Sequence, residues 1–176
     1  MLDGKRALIL VEEGFEDSEV IEPLRSLKNA GIRVITVGNG LQALYHGKRG
    51  AAAIKADADA ATVKVSDFDA VIVPGGSAPD KMRLHQPMVE LVRRAYDAGK
   101  IVAAVCHGPQ MLISADIVRG RRVTSFPSIA VDLRNAGAEW VDEPVVRDGN
   151  IITSRRPADL PRFGKAIIEA LKEEKT

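Results

Sequence analysis

The sequence predicts an α/β fold, a mostly parallel sheet covered by helices on both faces. Three observations predict it. Short apolar runs of strand length alternate with longer segments whose apolar residues recur at helical spacing. The runs at residues 7–11 (ALILV), 70–73 (AVIV) and 101–105 (IVAAV) are apolar at every position, as strands buried on both faces are. Glycines at positions 31, 99 and 137 close the segments with helical spacing.

In chain order, residues 7–11 form the first strand. The following segment, GFEDSEVIEPLRSLKNAG, places Val20, Ile21, Leu24 and Leu27 on one helical face behind an acidic start. Residues 33–37 (RVITV) make a second strand. Residues 38–58 hold Gly38, Gly40, Gly47 and Gly50 between short apolar stretches and suggest a small β-excursion. The strand at 70–73 stops at Pro74-Gly75-Gly76, and a helix over about 79–98 follows. The strand at 101–105 runs into a helix over 108–115. A short strand near 122–125 and a helix over 129–135 come next. The segment PVVRDGNIITS splits at Asp148-Gly149 into a hairpin, and a helix over 158–172 closes the chain. No repeat, low-complexity tract or linker interrupts 1–176, so the organisation reads as a single domain.

The composition narrows the function. Twenty-five basic residues balance twenty-four acidic ones, and only seven aromatic residues are present. That gives neither the field nor the stacking surfaces of a nucleic-acid binder. The basic doublets Lys48-Arg49, Arg121-Arg122 and Arg155-Arg156 are scattered and read as surface charge. No apolar run is long enough for a signal-peptide core or a membrane span. The single cysteine cannot form an internal disulfide, which suits a reducing compartment and a cytoplasmic protein. His46, His85 and His107 lie far apart without a second cysteine, so no transition-metal site is expected. No GxGxxG or phosphate loop points to a nucleotide, and no cofactor is expected.

In such folds ligands sit beyond the carboxyl ends of the strands. Three of those ends carry unusual chemistry: the acidic loop after residue 11, the glycines after Val73, and Cys106-His107. A lone cysteine ending an apolar strand is more often packing than chemistry. Here, however, Ala104-x-Cys106-x-Gly108 has the form of a nucleophile elbow, a sharp strand-to-helix turn that exposes its central side chain. Pro109 suits the first helical turn. A thiol at a helix N-terminus is expected to titrate below a free thiol. The N–H of His107 and a donor from Gly75-Gly76 are candidates for an oxyanion hole. His107 is also a candidate base, although its ring need not reach the thiol. Asp80 reads by itself as a helix-start cap.

Four segments, AAVCHGPQMLISADIVRGRRVTS, VIVPGGSAPDKMR, EGFEDSEVIEPLRSLKNAG and SRRPADLPRF, resemble the PfpI family of intracellular cysteine peptidases within the ThiJ/PfpI superfamily. The similarity runs from Lys5 to Leu171. It implies a flavodoxin-like three-layer sandwich related to glutamine-amidotransferase domains, with Cys106 as nucleophile and His107 at the family histidine. It implies that Asp80 acts across a subunit interface on a neighbour's His107, within a homodimer or larger assembly such as a hexamer. It also implies a glutamate beside the thiol. Counting back from Pro23 favours Glu19, with Glu16 the second candidate. Phe126 stands where some members have a tyrosine.

Three functions fit these residues. One is a cysteine hydrolase acting on peptides. Another is a glyoxalase or deglycase acting on methylglyoxal or its adducts. The last is a non-enzymatic redox sensor or stress chaperone using oxidation of Cys106. Both enzymes need a thiolate, an oxyanion hole and a proton shuttle. A compact site would favour the small dicarbonyl, and an open groove the peptide.

Overall fold

The computed structural model describes residues 2–40 and 43–173. Leu41 and Gln42 of the expected β-excursion lie outside the described residues, as do Met1 and residues 174–176. The main sheet has seven strands among the described residues: β1 (Arg6–Leu10), β2 (Arg33–Gly38), β5 (Ala58–Asp59), β6 (Ala70–Val73), β7 (Ile101–Val105), β10 (Val145–Asp148) and β11 (Ile151–Ser154). Their spatial order is β10-β11-β7-β6-β1-β2-β5. Every pairing is parallel except the β10–β11 hairpin at one edge.

The helices are α1 (Asp17–Asn29), α2 (Ala78–Met82), α3 (Gln86–Asp97), α4 (Pro109–Ser114), α5 (Ala130–Asn135) and α6 (Leu160–Glu173). One group packs α1 against α6 and a second packs α4 against α2, α3 and α5, giving the three layers. Every residue of β6 and β7 is buried, because each strand has helices over it. In α3, Met88, Leu91, Val92 and Ala95 fall on one face and are buried. Each such large apolar side chain contributes roughly 1.5–3 kcal/mol. The excursion forms a separate hairpin, β3 (Leu44–His46) with β4 (Ala53–Lys55), before β5 joins the main sheet. Two further short strands, β8 (Arg122–Val123) and β9 (Glu139–Trp140), pair in parallel. No helix among the described residues is long and apolar enough to cross a membrane.

One expected element divides. The helix anticipated over 79–98 is two helices, α2 and α3, separated at residues 83–85. Pro87 is the cause: it has no N–H to continue the ladder, and its ring disfavours a helical residue before it. The proline therefore sits in the first turn of α3, where its missing donor costs nothing. His85 instead sends its ring to Glu12, with Nε2 3.2 Å from the carboxylate.

After β1 the chain moves outward to β2 and β5, then returns to the other side of β1 as β6. The crevice beyond β1 and β6 is thus the topological switch point, where open α/β sheets take their ligands. The acidic loop, Gly75-Gly76 and Cys106 all follow strands that end there.

Candidate active site

Backbone contacts join the acidic loop to the glycine loop. Phe15 bridges both Gly76 and Gly47. The Glu16 N–H donates to the Gly75 carbonyl at 3.2 Å, and the Ser77 N–H to the Gly14 carbonyl at 3.0 Å. Gly76 has φ +75°, and a Cβ there would press on the backbone of Gly14, Phe15 and Glu16, so only glycine lets the two loops meet. This contact carries the first turn of α1 to the end of β6 and buries Glu19 completely.

Cys106 adopts φ 61° at the end of β7, the strained turn that an elbow needs. A non-glycine residue in this region costs about 1–3 kcal/mol, which the surroundings must offset. Its N–H donates to the Ser154 carbonyl at 3.0 Å, and its carbonyl accepts from the Phe126 N–H at 2.9 Å. Gly108 lies so close to the Val73 and Val105 carbonyls that a side chain would collide with both.

Glu19 accepts the Gly75 N–H through Oε2 at 2.9 Å. The Cys106 thiol lies close enough to feel the charge of the same carboxyl, whose Oε1 is buried and has no hydrogen-bond partner. Burial pushes the Glu19 carboxyl up to about 7, against the pull of the Gly75 N–H. Burial, then the charge of ionised Glu19, push the thiol up to about 12, against the N–H groups of His107 and Gly76. This corrects the expectation of a depressed thiol pKa. Helix α4 is short, and desolvation beside a carboxylate outweighs its terminus. The two groups form one acid, in which losing the first proton makes losing the second much harder.

The His107 ring does reach the thiol. Nδ1 lies 3.4 Å from Sγ, and Nε2 lies 3.2 Å from the Ser128 hydroxyl. The ring stacks on Phe126 with centroids 5.1 Å apart. Burial and the positive charge of Lys48 hold His107 below the usual imidazole range, so it is neutral at pH 7 and above.

Glu16 is engaged by two cations and not by the sulfur. Lys48 Nζ lies 3.0 Å from one carboxylate oxygen and Arg49 Nε 2.5 Å from the other. These contacts hold it below the usual carboxylate range despite burial. The β3–β4 hairpin delivers both cations because Asp17 accepts the N–H groups of Arg49 and Ala52 at 2.9 and 2.8 Å. Asp80 is exposed in the first turn of α2 and makes no polar contact among the described residues. It does not cap the helix and makes no hydrogen bond or ion pair with His107 within the chain. Sequence reasoning missed the Lys48–Arg49 clamp and Ser128. The pairing of a basic doublet with an acidic loop was the available signal for the clamp; Ser128 gave none.

Gly75 is the tightest point. A Cβ there would lie 2.7 Å from Glu19 Oε2, 2.8 Å from Cys106 Cβ and 3.0 Å from His107 N. Gly75→Ala is expected to displace the carboxyl from the thiol. It should cost about 1–3 kcal/mol of stability and roughly a hundredfold in turnover, read by thermal melting and steady-state assay of one preparation.

The fold and these contacts define a class: an α/β sandwich with a cysteine elbow at the switch point and a protonatable carboxyl and an imidazole beside the sulfur. The profile of the DJ-1/PfpI family matches residues 5–170, and the chain belongs to that family. It is 43% identical over 167 residues to Deglycase PYRAB04690 of Pyrococcus abyssi, covering 95% of this chain and 99% of that one. It is 40% identical over 169 residues to Protein/nucleic acid deglycase 2 of Escherichia coli, covering 96% and 98%. Among solved structures, a two-domain protein of Anabaena variabilis with DJ-1/ThiJ/PfpI-like and ferritin-like domains superimposes with TM-score 0.94 at 48% identity. The match covers 96% of this chain but only 48% of that one.

Proposed function

We propose that the protein is a deglycase of the glyoxalase type, using Cys106 to convert methylglyoxal, free or as an adduct on an amine, to lactate. The observation that carries this reading is the enclosure of the thiol. Cys106 is 9% exposed, while Glu19 and His107 take up two sides of the sulfur. An enclosed thiol favours a small dicarbonyl, whereas an extended peptide backbone needs an open groove over the nucleophile.

Glu19 takes the thiol proton as sulfur bonds to the aldehyde carbon, and the former carbonyl oxygen becomes the hydroxyl of a hemithioacetal. The N–H groups of His107 and Gly76, which act on the sulfur, hold that oxygen in this reading while it carries charge. His107 removes the C1 hydrogen as a proton and returns one to C2. The aldehyde carbon is oxidised to a thioester while the ketone carbon is reduced to an alcohol, so no outside oxidant is needed. Water then attacks the thioester, the C–S bond breaks, lactate leaves and the thiol is restored. With an amine adduct, the amine departs as sulfur takes its place. Neither a metal nor an organic cofactor is required.

Assembly into a homo-oligomer is a part of the family resemblance that this reading does not require, because the proposed proton-transfer groups come from one chain. The discriminating experiment offers methylglyoxal and, separately, a fluorogenic peptide or casein. Lactate without peptide cleavage is expected. Cleavage without lactate would instead establish the peptidase reading.

A further inference from the structure

We propose that Asp17 is a positioning residue for the active-site carboxyl: it fixes the tip of the β3–β4 hairpin so that Lys48 and Arg49 hold Glu16 and set the proton affinity of Glu19. The proposal rests on the proton-transfer role given to Glu19 above. Asp17 is the first residue of α1 and is buried. Its carboxylate turns to the hairpin, where Oδ1 accepts the Arg49 N–H at 2.9 Å and Oδ2 the Ala52 N–H at 2.8 Å. Gly47 permits this approach, since a Cβ there would overlap the Asp17 carboxylate. Two backbone bonds complete the docking, from the Gly14 N–H to the His46 carbonyl and from the Lys48 N–H to the Phe15 carbonyl, both at 2.9 Å. Burial by itself would raise the Asp17 carboxyl, and the N–H groups of Arg49 and Ala52 instead hold it below the usual carboxylate range. A buried carboxylate without such donors is costly, so the helix start and the hairpin tip form one unit.

The turn held in this way carries two cations onto Glu16, three residues before Glu19 on the same helical turn. The groups that act on Glu19 come from four elements. They are Glu16 at the start of α1, Lys48 and Arg49 of the hairpin, the Cys106 thiol of the elbow, and the Gly75 N–H that binds Oε2. Glu16 opposes the ionised form of Glu19, and Lys48 favours it. While the hairpin is docked, its cations offset Glu16 and support the carboxylate that must accept the thiol proton. Releasing the hairpin removes Lys48 and leaves the charge of Glu16 uncompensated. Both changes raise the proton affinity of Glu19. The neutral carboxyl then prevails at pH 7, and a neutral carboxyl cannot take the proton of the thiol. Asp17 thus acts through Lys48, Arg49 and Glu16, and its effect falls on the pH dependence of turnover.

The test follows the carboxyl 13C shift of Glu19 against pH, and kcat on methylglyoxal against pH, in Asp17→Ala, Lys48→Met and the double variant. Lys48→Arg is the conservative control that keeps the charge. Asp17→Ala should move the Glu19 midpoint upward from about 7 by about one pH unit, the low end of what a neighbouring charge does. Its kcat should fall about fivefold at pH 7 and return to within about twofold of wild type at pH 9, as the carboxyl ionises again. Lys48→Met should reproduce part of the upward shift, and Lys48→Arg should show none. The double variant should shift no further than Asp17→Ala, because the two residues act along one path. A lower melting temperature in Asp17→Ala with the Glu19 midpoint and the pH profile unmoved would make Asp17 a structural anchor and overturn the proposal. Additive shifts in the double variant would overturn it as well. If Asp17→Ala does not fold, an unmoved midpoint in Lys48→Met has the same force. If the wild type makes no lactate, the functional reading fails, and the Glu19 midpoint still decides the role of Asp17.

Discussion

Cys106→Ser is expected to lower lactate formation by at least about a thousandfold, the scale seen when a covalent nucleophile is removed. A serine hydroxyl is far less acidic than a thiol, and Glu19, with its pKa of about 7, is too weak a base to ionise it. The shorter C–O bond also draws the attacking atom back from the substrate. Stability should change by less than about 1 kcal/mol, because Ser is nearly isosteric with Cys and the backbone bonds to Ser154 and Phe126 remain. Circular dichroism and lactate assay on the same preparation separate these effects. Unfolding would identify the cysteine as packing.

The second large effect is that of Glu19→Gln, which should raise stability and lower turnover together. The folded-state pKa of Glu19 is about 7, against 4.5 for an ordinary glutamate. Its favourable contribution is therefore present in full below pH 4.5 and is lost as pH rises through 7. At pH 8 the folded protein carries a buried carboxylate that costs about 3 kcal/mol relative to the unfolded chain. Glutamine removes that cost, so the variant should melt several degrees higher at pH 8, and the gain should vanish near pH 4. In the wild type, Cys106 alkylation should stay slow through pH 7, because the thiol beside ionised Glu19 is pushed up to about 12. In Glu19→Gln the charge that holds the thiol up is gone while burial remains, so the midpoint should move downward from about 12. An unchanged midpoint would remove Glu19 from the chemistry.

Much of this was legible in the sequence, and the exceptions have physical causes. The sheet was readable because β6 and β7 are apolar at every position and β1 at all but its first residue, Arg6, a pattern imposed by burial on both faces. The elbow was readable because Gly108 and Gly75 stand where no side chain fits. The break between α2 and α3 was also written there, in Pro87, but the apolar spacing on either side of it masked the interruption. The Lys48–Arg49 clamp on Glu16 left only the signal of a basic doublet facing an acidic loop, since those residues are some thirty positions apart and meet because Asp17 pins the hairpin. The thiol's pKa was misread for a related reason: a helix start is visible in sequence, whereas the desolvation that opposes it depends on tertiary packing. Ser128 looks like any turn serine until the His107 ring is seen against it.

The most direct test of the central claim, that Cys106 carries a dicarbonyl through a covalent intermediate, is intact-mass spectrometry of protein quenched during turnover of methylglyoxal. The account predicts that wild-type protein gains the mass of one methylglyoxal on the peptide containing Cys106, discharged as lactate when substrate is exhausted, and that Cys106→Ser shows neither adduct nor lactate. Lactate formed at the wild-type rate by Cys106→Ser, or by wild type with no adduct on that peptide, would contradict it.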